Sequence, residues 1–167
     1  MSDSMALAAQ LAERLRTLGW RLACAESCTG GLIAAACTEL AGSSDWFERG
    51  VVSYSNQAKV ALLAVPQALI DAHGAVSEAV ARAMVEGILR SSGVDLAVSV
   101  TGIAGPSGGS AVKPVGTVWF GYAVRQRGGT LRVDAEHRHF DGNRAEVRAG
   151  SVRHALQGLL LRAQLTP

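Results

Sequence analysis

Residues Leu96-Ala97-Val98-Ser99-Val100 form a run that is apolar but for one hydroxyl. A strand of this composition has no polar face to offer water, so it belongs in the middle of a sheet with cover on both sides. The chain supplies that cover as helices. Leu7, Leu11, Leu15 and Leu18 recur at helical spacing and predict an amphipathic helix over about 5–18, ended by Gly19. Ser77 is placed to cap a helix whose Val80, Ala81, Met84, Val85, Ile88 and Leu89 form one apolar stripe. Asn143 and Glu146 have the spacing of a capping box, ahead of a last helix with Val147, Val152, Ala155, Leu156, Leu159 and Leu160 on its buried face. Residues 115–124 and 130–140 flank Arg127-Gly128-Gly129 and predict an antiparallel hairpin. An antiparallel pair beside a buried strand implies a mixed sheet. The expected class is therefore α/β: a single-domain, three-layer α/β/α sandwich over residues 1–167.

The remaining segments are shorter. Trp20 to Cys24 reads as a strand, and Leu32 to Cys37, with Leu40-Ala41, as a buried helix. An extended segment lies within 46–55 around Val51-Val52, and a helix runs from about 57 into Leu62-Leu63, with Pro66 marking a break or a new first turn. There is no internal repeat, low-complexity tract or linker.

Composition narrows the function classes. A formal net charge of +2, with no basic stripe interleaved with aromatics, argues against nucleic acid as a partner. No apolar run approaches the ~18 residues of a membrane span. Met1-Ser2-Asp3-Ser4 lacks a basic segment followed by an apolar core, so no secretory signal is expected and the reading is cytoplasmic. Cys24, Cys28 and Cys37 make neither a Cys-x-x-Cys pair nor an even disulfide set, and read as reduced core thiols.

Chemistry is concentrated in three places. The first is Ala25-Glu26-Ser27-Cys28-Thr29-Gly30-Gly31, a Gly-rich turn between a strand and a helix. If Thr29 caps that helix, Gly30 and Gly31 aim free N–H groups at whatever approaches the Ser27 hydroxyl, which suits a phosphate or an oxyanion. The second is Tyr54-Ser55-Asn56-Gln57-Ala58-Lys59. If Asn56 caps the next helix, Lys59 lies in its first turn, where the dipole disfavours a cation, and no carboxylate flanks it. Both effects lower its pKa below the ~10.4 of a free lysine, towards that of a general base. Tyr54 could relay a proton or hold the amine. A solvated lysine beside a core-edge tyrosine is the plainer account, and sequence distance alone does not join Lys59 to Ser27. The third is the loop Thr101-Gly102-Ile103-Ala104-Gly105-Pro106-Ser107-Gly108-Gly109-Ser110, directly after the central strand, where ligands of open α/β sheets bind. Lys113-Pro114 closes it, with the lysine on ligand or in water.

Other assignments fit less well. Ser27 is in neither Gly-x-Ser-x-Gly nor Ser-x-x-Lys, and none of His73, His137, His139 and His154 lies in a motif. His137 and His139 share a strand face with Leu131 and Val133, as a partly exposed strand pair would, and no metal site is expected. Cys28 could be a nucleophile but reads as a small buried side chain. Arg144 and Arg148, one turn apart, could meet a phosphate or form a solvated helix face.

Taken with Trp46-Phe47-Glu48-Arg49-Gly50, Gly74-Ala75-Val76-Ser77-Glu78 and Lys113-Pro114-Val115-Gly116-Thr117-Val118-Trp119, these motifs make residues from about 5 to 162 resemble the CinA C-terminal domain family. Characterised members are nicotinamide-nucleotide amidohydrolases, which resemble serine hydrolases using lysine in place of histidine. The resemblance implies Ser27 as nucleophile, Lys59 as base and Tyr54 assisting. For the implied substrate, nicotinamide mononucleotide, the residues themselves suggest the contacts: Thr29, Gly30 and Gly31 at the nucleophile turn, with Gly30 and Gly31 N–H groups on the oxyanion, and Thr101, Gly102, Gly105 and Arg144 at the ribose phosphate end. The resemblance further implies no cofactor and a homodimer or higher homo-oligomer. A nucleotide-binding module without turnover, or a competence-related interaction protein, is the alternative.

Overall fold

The computed structural model describes residues 3–166; Met1 and Ser2, part of the N-terminal segment read above, lie outside the described residues. Strands β1 (Leu22–Glu26), β2 (Phe47–Val52), β3 (Leu96–Gly102), β4 (Thr117–Arg125) and β5 (Leu131–His139) form one sheet in the order β2-β1-β3-β4-β5. β1 is parallel to β2 and β3, while β3–β4 and β4–β5 are antiparallel, so the sheet is mixed as expected. The expected strand β3 is central, and β4–β5 is the expected hairpin.

Six helices cover the sheet: α1 (Asp3–Leu18), α2 (Leu32–Thr38), α3 (Asn56–Leu63), α4 (Gln67–His73), α5 (Glu78–Ser92) and α6 (Arg144–Leu165). Alternation along the inner strands sorts them into two layers. Leu22 and Cys24 of β1, with Leu96, Val98 and Val100 of β3, pack in one core with α1, α2 and α6. Ala23, Ala25 and Ala97 face the other core, with α5, Leu63 at the end of α3 and Ile70 of α4. The second face is built of small side chains, so α5 sits close to the strands. The Ser99 hydroxyl donates to the Ala81 carbonyl of α5 at 2.6 Å, and a Cβ on Gly121 would strike that same carbonyl and the Ser99 Oγ. Gly121→Ala is therefore expected to cost about 1–3 kcal/mol by overpacking, despite alanine's lower backbone entropy, read as a lower urea midpoint at unchanged m.

Caps follow the sequence in part. Ser77 accepts from Val80 N–H, and Asn143 with Glu146 makes the full capping box. α3 ends at Leu63, ahead of Pro66, which stands at the N-cap position directly before the first turn of α4. Ser55, not Asn56, caps α3, its Oγ accepting from Ala58 N–H at 3.0 Å. The helix expected to continue through Leu40-Ala41 stops at Thr38, and Ala41 is exposed. Among the described residues no helix is long and apolar enough to cross a membrane.

Candidate functional site

β1 and β3 are parallel neighbours, and the chain leaves β1 through α2 towards β2 on one side and reaches β3 on the other. Ligands of open α/β sheets bind at such a switch point, beyond the carboxyl ends of the strands. Ser27 follows β1 directly and extends the pairing, its N–H donating to the Val100 carbonyl at 3.0 Å. Ser53 follows β2 in the same way, its N–H donating to the Glu26 carbonyl at 2.8 Å. The parallel register therefore brings residues 27 and 53 to one edge, and α3 then carries Lys59 back over them.

Lys59 is 1% exposed and Ser27 8%. The Lys59 ammonium nitrogen Nζ donates to Ser27 Oγ at 2.9 Å, to the Ser53 carbonyl at 2.9 Å and to the Tyr54 carbonyl at 3.2 Å. Among the described residues no carboxylate pairs with it. Burial holds its pKa below the ordinary lysine range, with Cys28 opposing in part. The sequence sets Lys59 at the first turn of α3; the desolvation that lowers its pKa comes from the fold. Its three acceptors suit either form of the group. As an ammonium it satisfies all three; as an amine it gives two hydrogens to the carbonyls and turns its lone pair to the Ser27 hydroxyl.

The Tyr54 phenol is not on the amine. The side chain is 58% exposed, its hydroxyl accepts from Arg144 Nη2 at 3.0 Å, and it is the main-chain carbonyl of Tyr54 that meets Lys59. Arg144 also donates through Nη1 to the Gly105 carbonyl at 3.0 Å, which ties α6 to the loop after β3. The Thr101 hydroxyl donates to the Ala75 carbonyl at 2.9 Å. Lys113, on the far side of the loop, donates to the His73 carbonyl at 2.7 Å. A pocket of 200 Å³ opens above the pair, with Cys28, Val76, Gly102 and Arg144 among its walls. The Cys28 thiol, 5% exposed, is pushed up by burial to about 11, although a contact with its own backbone lowers it, so it stays protonated at neutral pH.

The nucleophile turn differs from expectation in how its N–H groups are used. Gly31, at φ 99°, precedes α2 with no side-chain cap, and Thr29 makes none. The cap is Glu26, whose carboxylate oxygens accept from Ile33 N–H at 2.9 Å and Ala34 N–H at 3.0 Å. A carboxylate at the end of β1 outcompetes a threonine because it satisfies two orphan donors at once. Gly30 N–H donates to the Ser27 carbonyl at 3.0 Å, so it is engaged within the turn. Thr29 is fully buried, and its Oγ1, like Ser53 Oγ, has no hydrogen-bond partner among the described residues. Glu26→Ala is expected to lower stability by about 2–4 kcal/mol, leaving two buried N–H groups without acceptors and a cavity beside them. Glu26→Gln should recover part of the loss, since only its oxygen can accept; urea unfolding of the two variants checks the order.

Ser27, Lys59 and Arg144, each expected at the site from the sequence, are gathered by the fold with the start of the loop after β3 around one pocket. The Glu26 cap, the two carbonyls on Lys59 and the main-chain contacts of Arg148 are not visible in the sequence. Arg148 Nε donates to the Cys28 carbonyl at 3.1 Å and Nη2 to the Thr29 carbonyl at 3.3 Å, so it is neither a solvated face nor free for a ligand. The one advance signal was a glutamate inside an apolar strand, next to the serine.

Fold and site together define a three-layer α/β/α domain with a buried serine–lysine pair at the carboxyl edge of its parallel strands. The family described as the CinA C-terminal domain matches residues 4–163, and the chain belongs to that family. It is 51% identical over 154 residues to nicotinamide-nucleotide amidohydrolase PncC of Enterobacter agglomerans, covering 92% of both chains. It is 49% identical over 160 residues to the protein of the same name from Pseudomonas putida, covering 96% of this chain and 97% of the other. The crystal structure of competence damage-inducible protein A from Klebsiella pneumoniae subsp. pneumoniae MGH 78578 superimposes with a TM-score of 0.92 at 39% identity, over 98% of this chain and 99% of that one.

Proposed function

We propose that the domain hydrolyses the carboxamide of nicotinamide mononucleotide to nicotinate mononucleotide and ammonia, a step in pyridine nucleotide recycling. The observation that carries the chemistry is the 2.9 Å contact between Lys59 Nζ and Ser27 Oγ, made in a buried setting with two carbonyls on the remaining hydrogens of the amine. The substrate follows from the names of relatives that match nearly end to end.

Neutral Lys59 takes the Ser27 proton as Oγ attacks the carboxamide carbon. The oxyanion is held by N–H groups of the nucleophile turn. Gly30 N–H is engaged with Ser27, which leaves those of Cys28, Thr29 and Gly31 as donors, with Cys28 in the pocket wall. Lys59 returns its proton to the departing nitrogen, the C–N bond breaks, and ammonia leaves an ester on Ser27. Lys59 then deprotonates a water, which attacks the ester and releases the acid and the serine. Gly102 and Gly105 bring main chain close to the nicotinamide, while Arg144, held by Tyr54 and Gly105 at the mouth, takes the phosphate. Tyr54 thus assists by orienting Arg144 through its phenol and Lys59 through its carbonyl.

The test is equimolar release of ammonia and nicotinate mononucleotide from nicotinamide mononucleotide by purified protein, with nicotinamide riboside alongside. Saturable binding of the nucleotide without either product would replace this reading with a non-catalytic nucleotide-binding module.

A further inference from the structure

We infer that Arg148 is a positioning residue that fixes and polarises the peptide supplying an oxyanion donor. The inference rests on Ser27 being the nucleophile. Ser27 to Gly30 is a tight turn closed by Gly30 N–H on the Ser27 carbonyl at 3.0 Å. Its central peptide joins Cys28 to Thr29, and this is the unit that rotates when such a turn changes type. Arg148, half-buried on α6, holds the carbonyl of that peptide through Nε at 3.1 Å and the next carbonyl, of Thr29, through Nη2 at 3.3 Å.

Both peptides are trans, so each N–H points away from its own carbonyl and hence away from Arg148. Of the two N–H groups so directed, that of Gly30 is spent on Ser27 and that of Thr29 meets no acceptor among the described residues. Thr29 N–H is therefore a donor whose direction is set from behind by a guanidinium. Thr29 keeps a negative φ, and the rotated turn would force this β-branched residue to positive φ. Arg148 adds to that local preference. It fixes the direction, and its charge on the carbonyl strengthens the N–H of the same peptide as a donor. The glycine at 30 also matters, since a Cβ there would lie 3.3 Å from Arg148 Nη2. A phosphate-binding role for Arg148 would leave these carbonyl contacts unexplained.

The experiment compares wild type, Arg148→Met and Arg148→Lys in two reactions. One is turnover of nicotinamide mononucleotide. The other is labelling of Ser27 by a small uncharged alkyl fluorophosphonate. There the Ser27 O–P bond forms, the P–F bond breaks, fluoride leaves and Lys59 takes the proton, with no call on a phosphate site. Arg148→Met is expected to slow labelling and kcat by similar factors, roughly tenfold to a hundredfold, with KM within about twofold, as for a group acting only in the transition state. Arg148→Lys, which keeps the charge but cannot span two carbonyls, should fall between and guards against a methionine variant that fails to fold. Unchanged labelling with a raised KM for the nucleotide would overturn the proposal in favour of a phosphate ligand. Unchanged values throughout would overturn it outright. A wild type labelled at Ser27 that leaves the nucleotide intact would remove the substrate assignment alone, and the labelling rates would still decide the role of Arg148.

Discussion

Ser27→Ala is expected to lose roughly four to six orders of magnitude in kcat for amide hydrolysis, the cost of deleting a nucleophile from a unit that works together. The fold should survive. Ser27 contributes one hydroxyl contact, to Lys59, and its backbone pairing with Val100 does not depend on the side chain. Stability should stay within about 1 kcal/mol of wild type, as for a small substitution that opens no large cavity. Nucleotide binding should persist, because Arg144 and the loop after β3 are untouched. Cys28, next in the chain, should not rescue the variant, since burial keeps its thiol at about 11. Turnover assays beside thermal unfolding and nucleotide titration separate these effects; a variant with near-normal kcat would mean that another group attacks the substrate.

Lys59→Met should cost roughly a thousandfold to ten-thousandfold as the general base is lost, and the double variant with Ser27→Ala should lose little more than Ser27→Ala alone. Lys59→Arg should fail as completely, because a guanidinium stays charged and carries no lone pair to receive the serine proton. The wild-type pH profile follows from the burial of Lys59. Activity needs the amine, so kcat/KM should rise with pH along a limb that lies below 10.5, the ordinary lysine value. Stability moves the same way. The folded state gives up the Lys59 proton at lower pH than the unfolded chain does. The burial penalty is therefore full below the folded pKa and is relieved as pH rises from there towards 10.5. Lys59→Met should abolish that part of the pH dependence. An acid limb unchanged in a Lys59 variant with residual activity would assign the titration to another group.

Much of the fold was legible because it follows from side-chain patterning. The apolar run at 96–100, the stripe on α5 and the Asn143–Glu146 box each specify one structure, and each forms. The end of α2 was not legible. Leu40 and Ala41 extend an apolar pattern, yet Thr38 turns its hydroxyl back to the Ala34 carbonyl and the chain leaves the helix there for a turn through left-handed Gly42. The site was legible to the extent that its chemistry resides in side chains, as at Ser27 and Lys59. What stayed hidden is chemistry carried by main chain: the carbonyls of Ser53 and Tyr54 on the amine, and those of Cys28 and Thr29 on Arg148. Peptide groups are the same at every position, so their direction emerges only with the parallel register of β1 and β2 and the placement of α6. Glu26 belongs to the same group, since the N–H groups it caps lie seven and eight residues away.

In a serine-nucleophile reaction the carboxamide carbon becomes bonded to Ser27 before water reaches it. Turnover of nicotinamide mononucleotide in the presence of hydroxylamine tests this most directly, with the products separated by mass. Hydroxylamine is expected to compete with water for the ester, giving the hydroxamate of nicotinate mononucleotide at the expense of the acid while ammonia release is not slowed. Undiminished nicotinate mononucleotide with no hydroxamate at any hydroxylamine concentration would contradict it, pointing to direct attack by water on the amide.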